Sequence, residues 1–364
     1  MITIAVYRHN SNSIQKLITD YRNLDATRVI SGIGALSLTL SEDQTIDIPF
    51  QADTRLALIL SGDDNSYSHI FGTYLLGGWE WQTLGHNHYV TLKALCTNSL
   101  LSRRIVAYAA GSAQAQKTGA ADNLMRAVVR ENLGSSAGTG RDISVYGFSV
   151  EADMSLASSI TMAFAWRNVY DVINDLVSSA YQQNGDRLLW DTRPDSEGWS
   201  VVFTVRKNFF RDRRMSSPYA LWLSADNDTL ESVVESYDRR DAYNTVYAGG
   251  QGTGSDRTIV TVSDSVDSAR SVIARSESFY DGSQYSDSAL LTAAARSRLQ
   301  DGKPKTTVKA KLNEGYLIHY GRDIMIGDAL TIKARAEYDM VLKSAHLTSS
   351  EGVTDIDLTL EEII

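Results

Sequence analysis

Asp241–Ser263 reads DAYNTVYAGGQGTGSDRTIVTVS, and the fold turns on its glycines, Gly249, Gly250, Gly252 and Gly254. A phosphate-binding loop needs a strand before it and a helix after it, so that the helix N-terminus and free amides face the phosphate. Here Arg257 follows the cluster, and then TIVTVS, which alternates and is β-branched, as strands are. No Gly-Lys-Ser/Thr follows, and the spacing does not fit G-x-G-x-x-G. The stretch therefore predicts a hairpin in which glycine supplies positive φ at little steric cost. A nucleotide-binding reading falls, and a β-rich one takes its place.

The first hundred residues carry the same signal. MITIAVY puts Ile2, Ile4 and Val6 on one face, and ALSLTL puts Leu36, Leu38 and Leu40 opposite Ala35, Ser37 and Thr39. RLALIL, HIFGTYLL and HYVTLKAL continue the series, with turns such as SGDDNS between them. Short strands at this spacing suggest a barrel or sandwich. The character changes near Thr97. In ADNLMRAVVRENLG, the residues Ala121, Leu124, Met125, Val128 and Val129 form one helical stripe, ended by Gly134. A second helix, NVYDVINDLVSSAYQQNG, has its stripe at Val169, Val172, Ile173, Leu176 and Ala180 and closes at Gly185. RLLWDT and WSVVFTVR then read as two strands around the turn RPDSEG. Strands return after Asp241, interrupted by a helix in SDSALLTAAARSRLQDG, with Ser286 or Asp287 as N-cap and Gly302 and Pro304 at its end. TDIDLTLE restores the alternation. The order is β, then α+β, then β.

A chain of 364 residues with 43% hydrophobic and 22% charged content is ordinary for a globular protein. A net charge of −9 argues against non-specific nucleic-acid affinity, which needs lysines and arginines to displace counterions. The single cysteine, Cys96, fits folding in a reducing cytoplasm, and in LKALCTNSLL it reads as a small buried hydrophobe, not a nucleophile. MITIAVYRHN does not read as a signal peptide, and no apolar run reaches the ~20 residues that span a bilayer.

Candidate sites are weak. His86 and His88 in GHNHY share a strand face and could start a zinc site, but further ligands are not apparent, Glu80 being the nearest carboxylate on that stretch. G-x-S-x-G and H-E-x-x-H are absent, and no pair of carboxylates stands out for glycosidase chemistry. No catalytic, cofactor-binding or metal residue is assigned, and no cofactor is expected. The basic groups Arg103–Arg104, Arg239–Arg240 and Arg211, Arg213 and Arg214 read as solvated faces or as ion pairs with a neighbouring subunit. The tryptophans (Trp79, Trp81, Trp166, Trp190, Trp199, Trp222) read mostly as core, while 18 tyrosines lean towards large contact surfaces.

Five stretches in chain order resemble the tail hub (baseplate hub) proteins of long-tailed siphophages. These are RVISGIGALSLTL, LLSRRIVAYAAGSAQAQKTGAADNLMRAVVREN, YNTVYAGGQGTGSDR, SESFYDGSQYSDSALLTAAARSRL and GRDIMIGDALTI, running from about residue 28 to 332. The family is related in fold to contractile-phage baseplate hubs and the type VI secretion spike base. The resemblance implies a β-rich α+β fold of two β-barrel domains with α+β additions. The boundaries expected are 1–98 for the first barrel, 99–206 for the α+β domain, 207–240 for a connecting segment, and 241–364 for the second barrel with a helix near 286–301. It implies a non-catalytic homotrimer at the virion tail tip, assembled in the host cytoplasm, with no stable membrane insertion. Its partners would be the distal tail protein, the tape measure protein and tail-tip fibre or spike proteins. DNA would pass through without specific binding, past a wall expected to be mainly carboxylate, with TDIDLTLE or SEDQTID contributing. The chain stops at TLEEII, so the resemblance expects any enzyme or receptor binder on a separate chain. Two rival readings are a tail-associated cell-wall hydrolase or peptidase, and a carbohydrate-binding module.

Overall fold

The computed structural model describes residues 1–62, 68–107, 115–164, 166–264, 272–283, 285–313, 318–350 and 352–362. Most of the turn SGDDNS, the Ala-Gly part of YAAGSAQ, Gln284 of SESFYDGSQYSDS and the end of TLEEII fall outside the described residues. The first region supplies β1 (Ile2–Tyr7), β2 (Ile14–Ile18), β3 (Asn23–Val29), β4 (Ala35–Ser41), β5 (Arg55–Ser61), β6 (Ser68–Leu84) and β7 (Asn87–Cys96). The middle block follows as α1 (Ser99–Ser102), β8 (Ala115–Ala120), α2 (Ala121–Asn132), β9 (Phe148–Val150), β10 (Ser159–Phe164), α3 (Val169–Asn184), β11 (Leu188–Pro194) and β12 (Val201–Lys207). The segment expected to connect, 207–240, carries β13 (Asp212–Arg213), β14 (Trp222–Ser224) and β15 (Leu230–Asp238). The last region holds β16 (Thr245–Gly249), β17 (Ile259–Ser263), β18 (Glu277–Asp281), α4 (Ser288–Asp301), β19 (Lys305–Leu312), β20 (Ala329–Lys333), β21 (Glu337–Ser350) and β22 (Val353–Glu362).

One 14-stranded sheet joins the two β regions, with a main path β15-β19-β22-β21-β3-β4-β7-β6-β5-β1-β2 and a branch in which β13 and β14 pair β20, which pairs β21. The regions meet where β21 pairs antiparallel with β3, from Ser344↔Val29 to Ser350↔Asn23. The earlier half of β21 pairs instead with β20, and a register irregularity between Leu342 and Ser344 marks the fork. The two-residue period of a strand then separates the faces. Leu24, Leu38, Leu92, Leu347 and Leu358 lie on the buried face, in one apolar cluster built from both regions.

The middle block has its own core. All five stripe residues of α2 are buried, and so are the five of α3. α2 ends at Asn132, with Leu133 as its C-cap, just ahead of the expected Gly134. α3 ends on Gly185 in the left-handed conformation (φ 71°), and its Asn168 N-cap accepts from the Tyr170 amide. A guanidinium is buried in this core. Arg126 is fully enclosed and pairs with Asp122 at 2.5 Å, one helical turn away. A third, smaller cluster packs α4 on the sheet β17-β16-β18, with Asp287 as the N-cap that accepts from the Ala289 amide.

Buried polar contacts tie the middle block to the main sheet. Arg28 of β3 is 2% exposed and reaches Asp191 of β11 at 2.6 Å. The Asn98 amide donates to the other Asp191 oxygen at 3.0 Å, and the Thr192 amide donates to Asn98 Oδ1 at 2.8 Å. Ser31 and Trp190 exchange a second pair of bonds at the same junction.

A polar sheet face as candidate functional surface

The face of the main sheet opposite the core is polar and crosses both β regions without a break. Register places Asp355, Thr348, Asp25, Ser37 and Lys93 in one row over five strands, β22 to β7. A neighbouring row runs Lys311, Asp357, His346 and Thr27. Another runs Ser350, Asn23, Thr39, Thr91 and Glu80. Acids and bases are paired across strands in several places, as cross-strand contacts favour. Lys311 contacts both Asp355 and Glu231 at 2.8 Å, Lys93 meets Glu80 at 2.7 Å, and His346 Nε2 lies 3.0 Å from Asp25. Between these pairs stand short hydroxyl side chains, among them Thr39 and Thr91, which are 3.0 Å apart. Sequence alternation gave each strand's polar face, but the rows depend on pairing between residues far apart in the chain.

The glycine cluster lies away from this face and forms the expected hairpin. β16 and β17 pair out to Gly249↔Ile259, and the Gly250 amide donates to the Thr258 carbonyl at 2.8 Å. Positive φ falls at Gly252 (111°) and Gly254 (59°). Gly249 and Gly250 are glycine for another reason, close packing. A Cβ on Gly249 would stand 2.5 Å from Arg257 Nε, and one on Gly250 would stand 3.0 Å from Leu291. The Arg257 guanidinium lies across the turn and donates to the Gly249 and Gly250 carbonyls at 3.0 and 3.1 Å.

His86 and His88 sit at the tip of the β6–β7 hairpin, where His88 Nδ1 is 3.0 Å from Thr83 Oγ1. Glu80 is taken by Lys93. Among the described residues, no group of three His, Cys, Asp or Glu side chains is placed to hold a metal, and no helix is long and apolar enough to cross a membrane. Cys96 is fully buried, accepts from the Gly34 amide at 3.0 Å, and has its thiol pKa pushed up by burial.

Four of the arginines in these groups find carboxylates within the same chain, while Arg240, one of the four, stays on a solvated face. Arg103 pairs with Asp53, and Arg240 with Asp238 at 2.5 Å. Arg214 pairs with Asp212 at 2.7 Å, while among the described residues Arg213 reaches only the Tyr219 carbonyl, at 3.5 Å. Arg211 grips Asp328 through Nε and Nη2, with Nη2 at 2.6 Å. Asp328 is fully buried, and that burial raises its pKa even against the pull of Arg211. Some partners lie two residues away in sequence, and others sit on the turns just ahead of β5 and β20, which topology brings in. The tryptophans also depart from expectation. Trp190 is in the core and Trp199 is half-buried, but Trp79, Trp81, Trp166 and Trp222 are exposed. Trp79 and Trp81 pack against Phe50 beside the β6–β7 hairpin.

The sequence matches, over residues 3–362, the family described as Siphovirus ReqiPepy6 Gp37-like protein. No curated protein matches it in sequence. In structure it is similar to the tail protein from Neisseria meningitidis MC58, with a TM-score of 0.63 at 12% identity over 99% of this chain and 96% of that one. It is similar to the 43 kDa tail protein of prophage MuSo2 from Shewanella oneidensis, with a TM-score of 0.64 at 10% identity over 100% and 98% of the two chains. A third likeness is to an E. coli component of the type VI secretion system described as structurally similar to T4 bacteriophage tail proteins. Its TM-score is 0.51 at 9% identity over 99% of this chain and 76% of that one. At such identities the likeness is one of fold.

Proposed function

The chain belongs to the Siphovirus ReqiPepy6 Gp37-like protein family, and from that premise we propose that it is a structural hub of a bacteriophage tail. Three copies form a ring that joins the distal tail tube to the tail tip and frames the channel for DNA. Its neighbours are the distal tail protein, the tape measure protein and tip fibre or spike proteins. It acts in the virion after assembly in the host cytoplasm.

The observation that carries this reading is the unbroken polar face. A wall past which DNA moves should not hold phosphate, because lysines and arginines free to replace counterions bind it tightly. Here Lys93 and Lys311 are engaged by carboxylates, acids and short hydroxyls stand between them, and Lys309 is the exposed lysine of β19 on this face outside the ion pairs of the described residues. We assign this face to the channel wall, which makes the wall a mixture of carboxylates, short hydroxyls and carboxylate-paired bases, with Asp355 and Asp357 of TDIDLTLE on it. The ring draws support from the sheet path, which ends on two different edges, β2 and β15. Joining unlike edges of successive copies is a heterologous contact, which closes into a ring when the rotation allows.

Light scattering of the purified chain should give about three copies, with a central hole in electron micrographs. A chain that stays monomeric in the presence of its tail partners would refute the ring. A zymogram on purified cell wall should stay blank; clearing would favour the hydrolase reading.

A further inference from the structure

A cationic feature lies where the main sheet meets the middle block, beyond the end of β1 and the start of β5. Arg8, Arg55, Arg103 and Arg104 line a pocket of about 220 Å³ together with one carboxylate, Asp53. Leu75, Leu100, Leu133, Ile143, Tyr146 and Trp199 supply its apolar walls. Asp53 is already paired with Arg103, so positive charge dominates the pocket of a chain whose net charge is −9.

Arg55 is the telling residue. It is 7% exposed, stacks on Trp199 at 4.2 Å, and among the described residues donates only to the Trp199 and Tyr146 carbonyls. Burial holds its pKa down to about 10; Asp195 and Tyr7 act against that only through space. The Asp195 carboxylate is itself engaged by the amides of Glu197, Gly198 and Ser200. Arg104 adds a buried Nε with no hydrogen-bond partner among the described residues. A buried cation without a paired anion is costly, and the cost falls when a carboxylate arrives. The apolar walls ask for more than a free ion: they fit an acidic side chain carried on an apolar segment. The volume suits one side chain, not a duplex.

We infer that this pocket receives an Asp or Glu side chain from an apolar stretch of an adjoining polypeptide. The inference rests on the assembly reading for the source of that polypeptide, but on the pocket alone for its chemistry. The test uses the full chain and the fluorescence of Trp199, read as the difference from a Trp199→Phe control. The probes are a capped Ala-Leu-Glu-Leu-Ala peptide, its Gln counterpart and a short DNA duplex. The Glu peptide should saturate the signal, and the Gln peptide should bind at least about tenfold more weakly, since a charge-assisted hydrogen bond contributes ~1.5–3 kcal/mol. Arg8→Gln and Arg104→Gln, at positions that are not fully buried, should each weaken the Glu peptide while the melting temperature holds. Equal binding of the Glu and Gln peptides, no saturation by the Glu peptide, or displacement of the peptide by the duplex overturns the inference. Light scattering on the same samples reports the ring independently, so failure of one is separable from failure of the other.

Discussion

Replacing Asp191 by Asn should be among the most damaging single changes in the chain. Asp191 is fully buried and is the anion for Arg28, at 2.6 Å; Arg193 Nε also leans on it, at 3.9 Å. Asn preserves the shape and can still meet Asn98, so the change removes charge more than packing. Two unit charges about 4 Å apart attract by about 4 kcal/mol at an effective dielectric of about 20. One-sided deletion of a buried pair typically costs about 3–5 kcal/mol, because the remaining charge stays buried. At about 2 °C per kcal/mol for a protein of this size, the melting temperature should fall by roughly 6–10 °C. Urea unfolding should show the same loss as a lower midpoint at unchanged slope. Adding Arg28→Met should recover much of it, since no cation is then stranded in β3. The double-mutant cycle separates pairing from packing. An Asp191→Asn variant within about 1 kcal/mol of the parent, or a double variant as unstable as the two single losses added together, would refute the argument.

Three further outcomes follow from the same geometry. Gly34→Ala places a Cβ 2.0 Å from the Thr27 carbonyl oxygen, so β3 and β4 must part; a loss at or beyond the ~3 kcal/mol upper range of overpacking is expected in urea melts, and a parental midpoint would contradict it. In the glycine hairpin, Gly254→Ala, at φ 59° with open space around it, should cost about 1 kcal/mol, whereas Gly252→Ala, whose Cβ would meet the Asp256 carbonyl at 2.6 Å, should cost more; equal melting temperatures for the two would count against this. Burial, with Arg211, Arg28 and Arg193 adding to it, lowers the His69 pKa to about 4. The unfolded chain therefore binds the extra proton first, and stability present above about pH 6.5 is lost as pH falls towards 4, by up to about 3 kcal/mol. His69→Gln should flatten that part of the pH–stability curve, and an unchanged slope would exclude His69 as its source.

Local pattern carried much of the fold. The stripes of α2 and α3, the Gly185 stop, the Asp287 cap and the alternation of β4 and β22 are all set by neighbours in sequence, and all stand in the structure. The Asn168 cap was readable too: an Asn just ahead of the helical stripe is the ordinary signal. What sequence could not supply was long-range pairing. Arg211 reads as solvated until topology brings Asp328 to it from 117 positions away. Segment 207–240 reads as a connector because β13 and β14 are too short to show a period and β15, mostly exposed after Leu230, lacks a clear apolar face. The candidate surface suffered most, because each row draws single residues from as many as five strands, and no strand alone distinguishes a channel wall from an ordinary wet face.

The junction of β3 with β21 also sets a timetable for synthesis. Its two sides are some 321 positions apart, as with Asp25 and His346. At about 5–20 residues per second, a ribosome needs roughly a quarter of a minute to a minute to cover that stretch. During that interval β3 can pair with β4 on one side only, and its other edge stays open in a crowded cell. An open edge is a template for any passing strand. The polar side of β3, with Asn23 and Asp25 exposed, makes such strays less adhesive. The buried Arg28 on its other side has no carboxylate to meet until β11 has been made. The N-terminal strands thus wait for two later elements, and the largest sheet is complete only once β22 has been made.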